Sequence, residues 1–120
     1  MVPHNDLNVL FDIQYGLYIV SSIFEDKKNG QLANVVFQVM DSPVGIAICL
    51  SKKNLTCDIV KKSKIFSVSV LERDTPMNFI GKFGFRSGRE IDKFENTEFY
   101  IGQTGCPIVT ENAISVFGYN

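Results

Sequence analysis

Apolar and polar positions alternate with a period of two along several stretches of this 120-residue chain, and the breaks between them mark out short elements. Ile65–Leu71 alternates most cleanly. Phe66, Val68 and Val70 fall on one side and Ser67 and Ser69 on the other, which predicts a strand with one buried and one solvated face. Tyr15–Ser22 is rich in aromatic and β-branched residues and predicts another strand. After the polar run Glu25–Lys28, the dipeptide Asn29-Gly30 predicts a hairpin turn, because both residues accept positive φ. A strand over Gln31–Met40 should follow, with Ala33 and Asn34 standing where bulky apolar residues would be expected. Asp41-Ser42-Pro43 ends it, and the nearly unbroken apolar run Val44–Leu50 predicts a strand buried on both faces.

Helical spacing appears in three places. Asp6–Ile13 has a capping residue and places Leu7, Leu10 and Phe11 on one face. Asn54–Lys64 puts Leu55, Ile59 and Val60 together, with Lys61, Lys62 and Lys64 at the end where cations suit the helix dipole. Asp74-Thr75-Pro76 combines a capping side chain with a first-turn proline and opens a helix to about Lys82. Beyond it come the glycine-rich stretch Gly81–Gly88 and an amphipathic turn at Asp92–Glu95. Short strands at Phe99–Ile101 and Ile108–Val109 follow around a Gly102–Pro107 turn, and Ala113–Phe117 is a last strand. Many short strands with few helices predict a mainly β fold, an antiparallel barrel or sandwich.

Composition narrows the partners. The net charge of −1 offers nothing to a nucleic-acid backbone. No apolar run is long enough to cross a bilayer, and the N-terminus lacks the pattern of a signal peptide, so a cytoplasmic protein is expected. Three cysteines (Cys49, Cys57, Cys106) without a Cys-x-x-Cys pair, and one histidine (His4), do not make a familiar metal site; reduced thiols acting as small hydrophobes are expected, Cys49 inside its apolar strand above all. With 120 residues the chain forms one domain able to bury a core unaided.

Candidate chemistry is confined to a few segments. Ala33-Asn34 leaves backbone uncovered where something flat could lie. Ser51-Lys52-Lys53-Asn54-Leu55-Thr56 brings hydroxyls, lysines and the first N–H groups of a helix together, which could hold a phosphate, although position alone favours a capped helix start with solvated lysines. Phe83-Gly84-Phe85-Arg86-Ser87-Gly88-Arg89 pairs aromatic rings with guanidinium groups that could meet a ring and an anion, or forms a loop anchored by a phenylalanine. Cys106 is a reactive thiol or a turn residue. No catalytic triad, nucleophile elbow or Walker loop is present, so any chemistry would belong to a bound organic cofactor, with no catalytic side chain of the protein's own.

Taken in order, Tyr15–Val20, Asn29–Asn34, Phe37-Gln38-Val39, Ser51–Thr56, Phe66–Leu71, Phe79–Phe85, Ser87-Gly88-Arg89 and Asp92-Lys93-Phe94 resemble the flavin reductase-like family of FMN-binding split barrels, and within it flavoredoxin and the flavin domain of high-molecular-weight rubredoxin. The resemblance covers nearly the whole chain. It implies a Greek-key split β-barrel with short peripheral helices, a homodimer, and FMN near the dimer interface. By position, Gln31, Leu32, Ala33 and Asn34 would line the flavin ring and ribityl chain, largely through backbone groups. Ser51, Lys52, Asn54 and Thr56 would hold the phosphate end. Phe83, Arg86 and Arg89 belong to the segment that would close over the site. Electrons would come from NAD(P)H or a reduced, rubredoxin-like protein and leave through FMN to an acceptor. Members of the family continue beyond the point matching Asn120, which implies a domain over residues 1–120 that is shortened at the C-terminus, with an open sheet edge for a partner chain to cover. The alternative implied by that shortening is a non-enzymatic dimeric barrel that binds flavin without turnover.

Overall fold

The computed structural model describes residues 16–119, so the helix expected over Asp6–Ile13 lies outside the described residues. Strands β1 (Tyr18–Phe24) and β2 (Lys27–Ala33) form a hairpin whose register runs from Phe24 opposite Lys27 to Tyr18 opposite Ala33. Its loop is only Glu25 and Asp26, and Glu25 sits in the left-handed region at φ 56°. The turn is therefore not at Asn29-Gly30. Those two residues lie inside β2, opposite Ser22 and Ser21. Gly30 is required there by close approach: a Cβ on it would stand 2.8 Å from Ser21 Oγ.

The expected long strand after Asn29-Gly30 is two strands. The chain breaks at Asn34-Val35, and β3 (Val36–Met40) leaves β2 to pair with β4 (Gly45–Ile48) as a separate ribbon. Only one side of that ribbon meets the core, through Val36 and Ile48. The run Val44–Leu50 is consequently shorter as a strand than its sequence suggests and only partly covered, and Cys49 is exposed.

Helix α1 (Leu55–Ser63) and strand β5 (Phe66–Leu71) follow as predicted. Helix α2 (Met77–Gly84) begins after Pro76, which occupies the N-cap position itself, and Asp74 does not cap it. Strands β6 (Phe99–Ile101) and β7 (Pro107–Val109) make a second ribbon around the expected turn, and β8 (Ala113–Tyr119) ends the described chain. The main sheet has the order β2-β1-β5-β8, antiparallel throughout. With its two ribbons it makes a mainly β, Greek-key split barrel with short helices at the periphery.

Cross-strand partners share a face. Val20, Ala33 and Val68 pack beneath Val36, Ile48 and Leu50 on one face of the main sheet, and α1 covers the remainder of that face. On the other, Ile19 and Leu71 join Phe79, Phe83, Phe94 and Val109 in a core made by α2, β7 and the chain between them.

The second face is where the alternation in β5 misleads. Ser67 and Ser69 are fully buried rather than solvated. Ribbon β6–β7 lies over them, and their hydroxyls donate to the carbonyls of Pro107 at 2.5 Å and Val109 at 2.6 Å. Strand β7 pairs with β6 along one edge, so its remaining carbonyls need donors from elsewhere. Cys106 adds a third tie, its thiol donating to the Ser21 carbonyl at 3.2 Å. Burial raises its pKa to about 11, which makes Cys106 an inert part of the turn and not a reactive thiol at neutral pH.

Replacing Ser67 or Ser69 by Ala leaves a buried carbonyl without its donor and should cost about 1–3 kcal/mol each. Urea unfolding checks this; an unchanged midpoint for both variants would contradict the role given to these hydroxyls.

Candidate functional site

A cavity of about 230 Å³ opens at the outer edge of β2, the edge strand of the main sheet. Because no described strand pairs with that edge, its outward backbone groups remain available to whatever lies along it. Three segments wall the cavity: β2 through Asn29, Gln31 and Leu32; the start of α1 through Asn54, Leu55 and Thr56; and the end of α2 with its following loop, Phe83 to Gly88. Lys93 closes it from behind.

Side-chain bonds hold these walls together. Asn29 Nδ2 donates to Thr56 Oγ1 at 3.0 Å, and Asn54 Nδ2 donates to Gln31 Oε1 at 3.1 Å, so β2 and the first turn of α1 are tied by two amide contacts. Gly88 presses on the same point, since a Cβ there would fall 2.2 Å from Asn29 Oδ1. Arg89 Nη2 meets Asp58 Oδ2 at 2.7 Å and anchors the loop to α1. Both of those groups are nearly half exposed, so the pair adds little stability.

The polarity of the cavity is positive. Lys93 is only 3% exposed, its Nζ donates to the Phe83 carbonyl at 3.0 Å, and no carboxylate pairs with it among the described residues. Burial lowers its pKa to about 8, so the group remains mostly charged at neutral pH without a counter-ion. Arg86, exposed and outside any ion pair of the described residues, stands at the mouth. The start of α1 adds N–H groups that lack an intrahelical acceptor. Leu32 and the 78%-exposed Phe85 supply apolar surface, while the Phe83 ring is buried in the core behind them. Such a site suits a ligand with a flat apolar part and an anionic end.

Of the residues expected at a site, Gln31, Leu32, Asn54, Thr56, Phe83 and Arg86 line this cavity. Thr56 is fully buried with its hydroxyl engaged by Asn29. Ala33, Asn34, Ser51, Lys52 and Arg89 do not line it. The Ala33 methyl is buried in the core with Val20 and Val68, and Asn34 lies in the break between β2 and β3. Ser51 Oγ accepts from the Lys53 N–H within its own loop, and Lys52 is exposed beside it. Arg89 borders a neighbouring cavity of mixed charge with Lys27, Lys28, Glu90 and Asp92. Sequence reasoning did not single out Asn29 and Lys93, which also line this cavity. Asn29 read as a turn, and Lys93 gave no stronger signal than a lysine beside a phenylalanine in a short amphipathic stretch.

Comparison with known proteins identifies the family of the chain. The sequence profile described as the flavin reductase like domain matches residues 10–118. The chain is 51% identical over 111 residues to a ferric-chelate reductase (NAD(P)H) of Archaeoglobus fulgidus, covering 92% of this chain and 66% of that protein. It is 39% identical over 110 residues to a high molecular weight rubredoxin of Moorella thermoacetica, covering 92% of this chain and 48% of that protein. The chain thus spans from about half to just under two-thirds of these relatives' lengths. Among solved structures, an FMN-binding protein from Thermus thermophilus with bound 1-cyclohex-2-enone superposes with a TM-score of 0.80 at 22% identity, over 98% of this chain and 64% of that one. No helix among the described residues is long and apolar enough to cross a membrane.

Lys93 makes a prediction about stability. Its folded pKa of about 8 lies below the ordinary 10.5, so between those values the unfolded chain binds more protons and stability from this group rises with pH. Relative to Lys93→Met, the wild type should therefore gain stability as pH is raised from 7 to 10.5. Urea midpoints of the two proteins across that range test it; a constant difference would show that the amine carries no burial penalty.

Proposed function

The chain belongs to the flavin reductase like domain family, and on that footing we propose that it binds FMN in the cavity beside β2 and passes electrons through it as an oxidoreductase. The observation that carries this reading is the buried Lys93 ammonium, which is held by the Phe83 carbonyl, has no carboxylate partner among the described residues and lines the same cavity as the open start of α1. A buried charge without a partner is costly unless an anion arrives to pair with it. The phosphate of FMN is such an anion, and Lys93, Arg86 and the N–H groups of α1 would hold it. Leu32 and Phe85 offer apolar contact to a ring, and the free edge of β2 offers backbone groups to its polar rim. Bound FMN would supply hydride acceptance and stepwise electron release. The protein's part is to bind it, orient it and shield one side from water. The donor is NAD(P)H, in keeping with the printed name of the Archaeoglobus relative, or a reduced rubredoxin-like protein.

The protein is also proposed to act as a homodimer through ribbon β3–β4. Phe37, Val39 and Met40 are each more than half exposed on β3, with Val44 beside them, an apolar group unusual on an isolated surface. A second copy is the occupant that the family resemblance supports.

Titrating the protein with FMN and following flavin fluorescence tests the first proposal. Quenching to a defined endpoint is expected, and a protein that takes up no FMN would overturn it. Affinity should fall by roughly tenfold or more from pH 7 to 9.5 as Lys93 loses its proton, since a hydrogen bond to a charged group contributes about 1.5–3 kcal/mol. Lys93→Met should bind weakly with a flatter pH profile. NAD(P)H oxidation in the presence of FMN and an acceptor then separates electron transfer from binding without turnover. For the dimer, light scattering should give twice the chain mass, falling to the monomer in Phe37→Asp/Val39→Asp. A monomeric wild type would refute that assembly.

A further inference from the structure

Helix α1 is left uncapped by its own cap residue. Asn54 has the extended backbone of an N-cap, φ −86° and ψ 144°, and belongs to the best capping types, yet it makes no capping bond. Its amide is turned toward β2, where Nδ2 donates to Gln31 Oε1 at 3.1 Å. Thr56, in the first turn, is drawn the same way by Asn29. Gln31 Nε2 in turn donates to its neighbour's carbonyl, Leu32 O, at 3.3 Å, so both ends of the Gln31 amide are occupied within the protein. A glutamine that served mainly as a ligand contact would present one of those ends to the cavity. A second, independent observation is Lys93, which lines the same cavity 3% exposed, with its ammonium on the Phe83 carbonyl and in no ion pair among the described residues.

We infer that Gln31 is a positioning residue that holds Asn54 off the helix cap and so keeps the first N–H groups of α1 open to the anionic end of the ligand. A side-chain cap and a phosphate compete for the same donors, because both use the N–H groups that have no intrahelical acceptor. Asn29 acts in parallel by engaging the Thr56 hydroxyl. The arrangement forgoes a local cap in the free protein in favour of ligand contact. The inference rests on the FMN reading and deepens it by assigning the phosphate preference to a residue that does not itself touch the phosphate.

Riboflavin, which lacks the phosphate, provides the reference. Dissociation constants for FMN and riboflavin are measured by fluorescence at pH 7 for the wild type, Gln31→Leu, Asn54→Ala and the double variant. In Gln31→Leu, Asn54 loses its acceptor and returns to the cap. The preference for FMN over riboflavin should fall about fivefold, the equilibrium equivalent of a typical cap of about 1 kcal/mol. Adding Asn54→Ala removes the returning cap and should restore the preference to within about twofold of wild type. Asn54→Ala alone should keep it. A purely structural role for Gln31 would lower both affinities together and would not be relieved by removing Asn54. An unchanged preference in Gln31→Leu, or no recovery in the double variant, overturns the inference. If Gln31→Leu does not fold, Asn54→Ala decides alone: a loss of preference beyond about fivefold would mean that Asn54 itself grips the phosphate. A wild type that binds FMN and riboflavin equally also overturns it, whereas a wild type that binds no flavin defeats the FMN proposal instead.

Discussion

The register of the β1–β2 hairpin is the constraint on which the site depends. Because the loop is only Glu25 and Asp26, Asn29 and Gln31 fall on the face of β2 that carries Ala33, the face covered by α1, within reach of Thr56 and Asn54. A slip of one residue would turn both amides to the opposite face, toward Phe83 and Phe79 and away from Thr56 and Asn54. Two features pin the register. Gly30 fits against Ser21 only where no Cβ intervenes, and Leu32 beside Ile19 packs against the phenylalanine core. Against these stands the cost of a glutamate with positive φ at the turn, which only a strongly determined hairpin would tolerate.

Local elements were legible where one pattern had one cause. Helix α1 shows helical spacing, a basic last turn and a left-handed Lys64 that ends it, and its limits agree with the periodicity. Strand β5 was legible in extent but not in environment. Alternation reports side-chain polarity, and a serine that donates to a buried carbonyl looks the same in sequence as one that faces water. Asn29-Gly30 failed for a related reason. Asn-Gly favours a hairpin turn by its backbone freedom, but here the glycine is demanded by cross-strand closeness and the asparagine by a bond to Thr56. Both causes are tertiary. Val44–Leu50 read as a doubly covered strand because its hydrophobicity is uniform, yet β4 belongs to a ribbon with one face on the core. The cavity itself was legible in part. Resemblance indicated Gln31, Leu32, Asn54, Thr56, Phe83 and Arg86, whereas Lys93 becomes conspicuous only when its burial and its lack of an ion pair among the described residues are known.

The walls of the cavity come from three segments that share little backbone hydrogen bonding with one another. Strand β2 is an edge, α1 lies across one face of the sheet, and the loop after α2 reaches in from the other side. What joins them is a small set of side-chain contacts: Asn29 to Thr56, Asn54 to Gln31, Arg89 to Asp58, and Lys93 to the Phe83 carbonyl. Several of these are poor bargains for the free protein. Lys93 bears a charge in a buried position, and Asn54 forgoes its cap.

A ligand that supplies an anion at their meeting point changes the sign of those costs together. It pairs with the lysine, satisfies the helix N–H groups and bridges segments that the backbone leaves separate. Binding to the folded state alone adds stability that grows as the logarithm of ligand concentration over its dissociation constant. On the FMN proposal, the free fold forgoes stability where the ligand would contribute it, and the same residues bear on both quantities. Substitutions that make this region more comfortable in isolation, by removing the buried charge or restoring the cap, act against binding for the same physical reason that they favour the free fold.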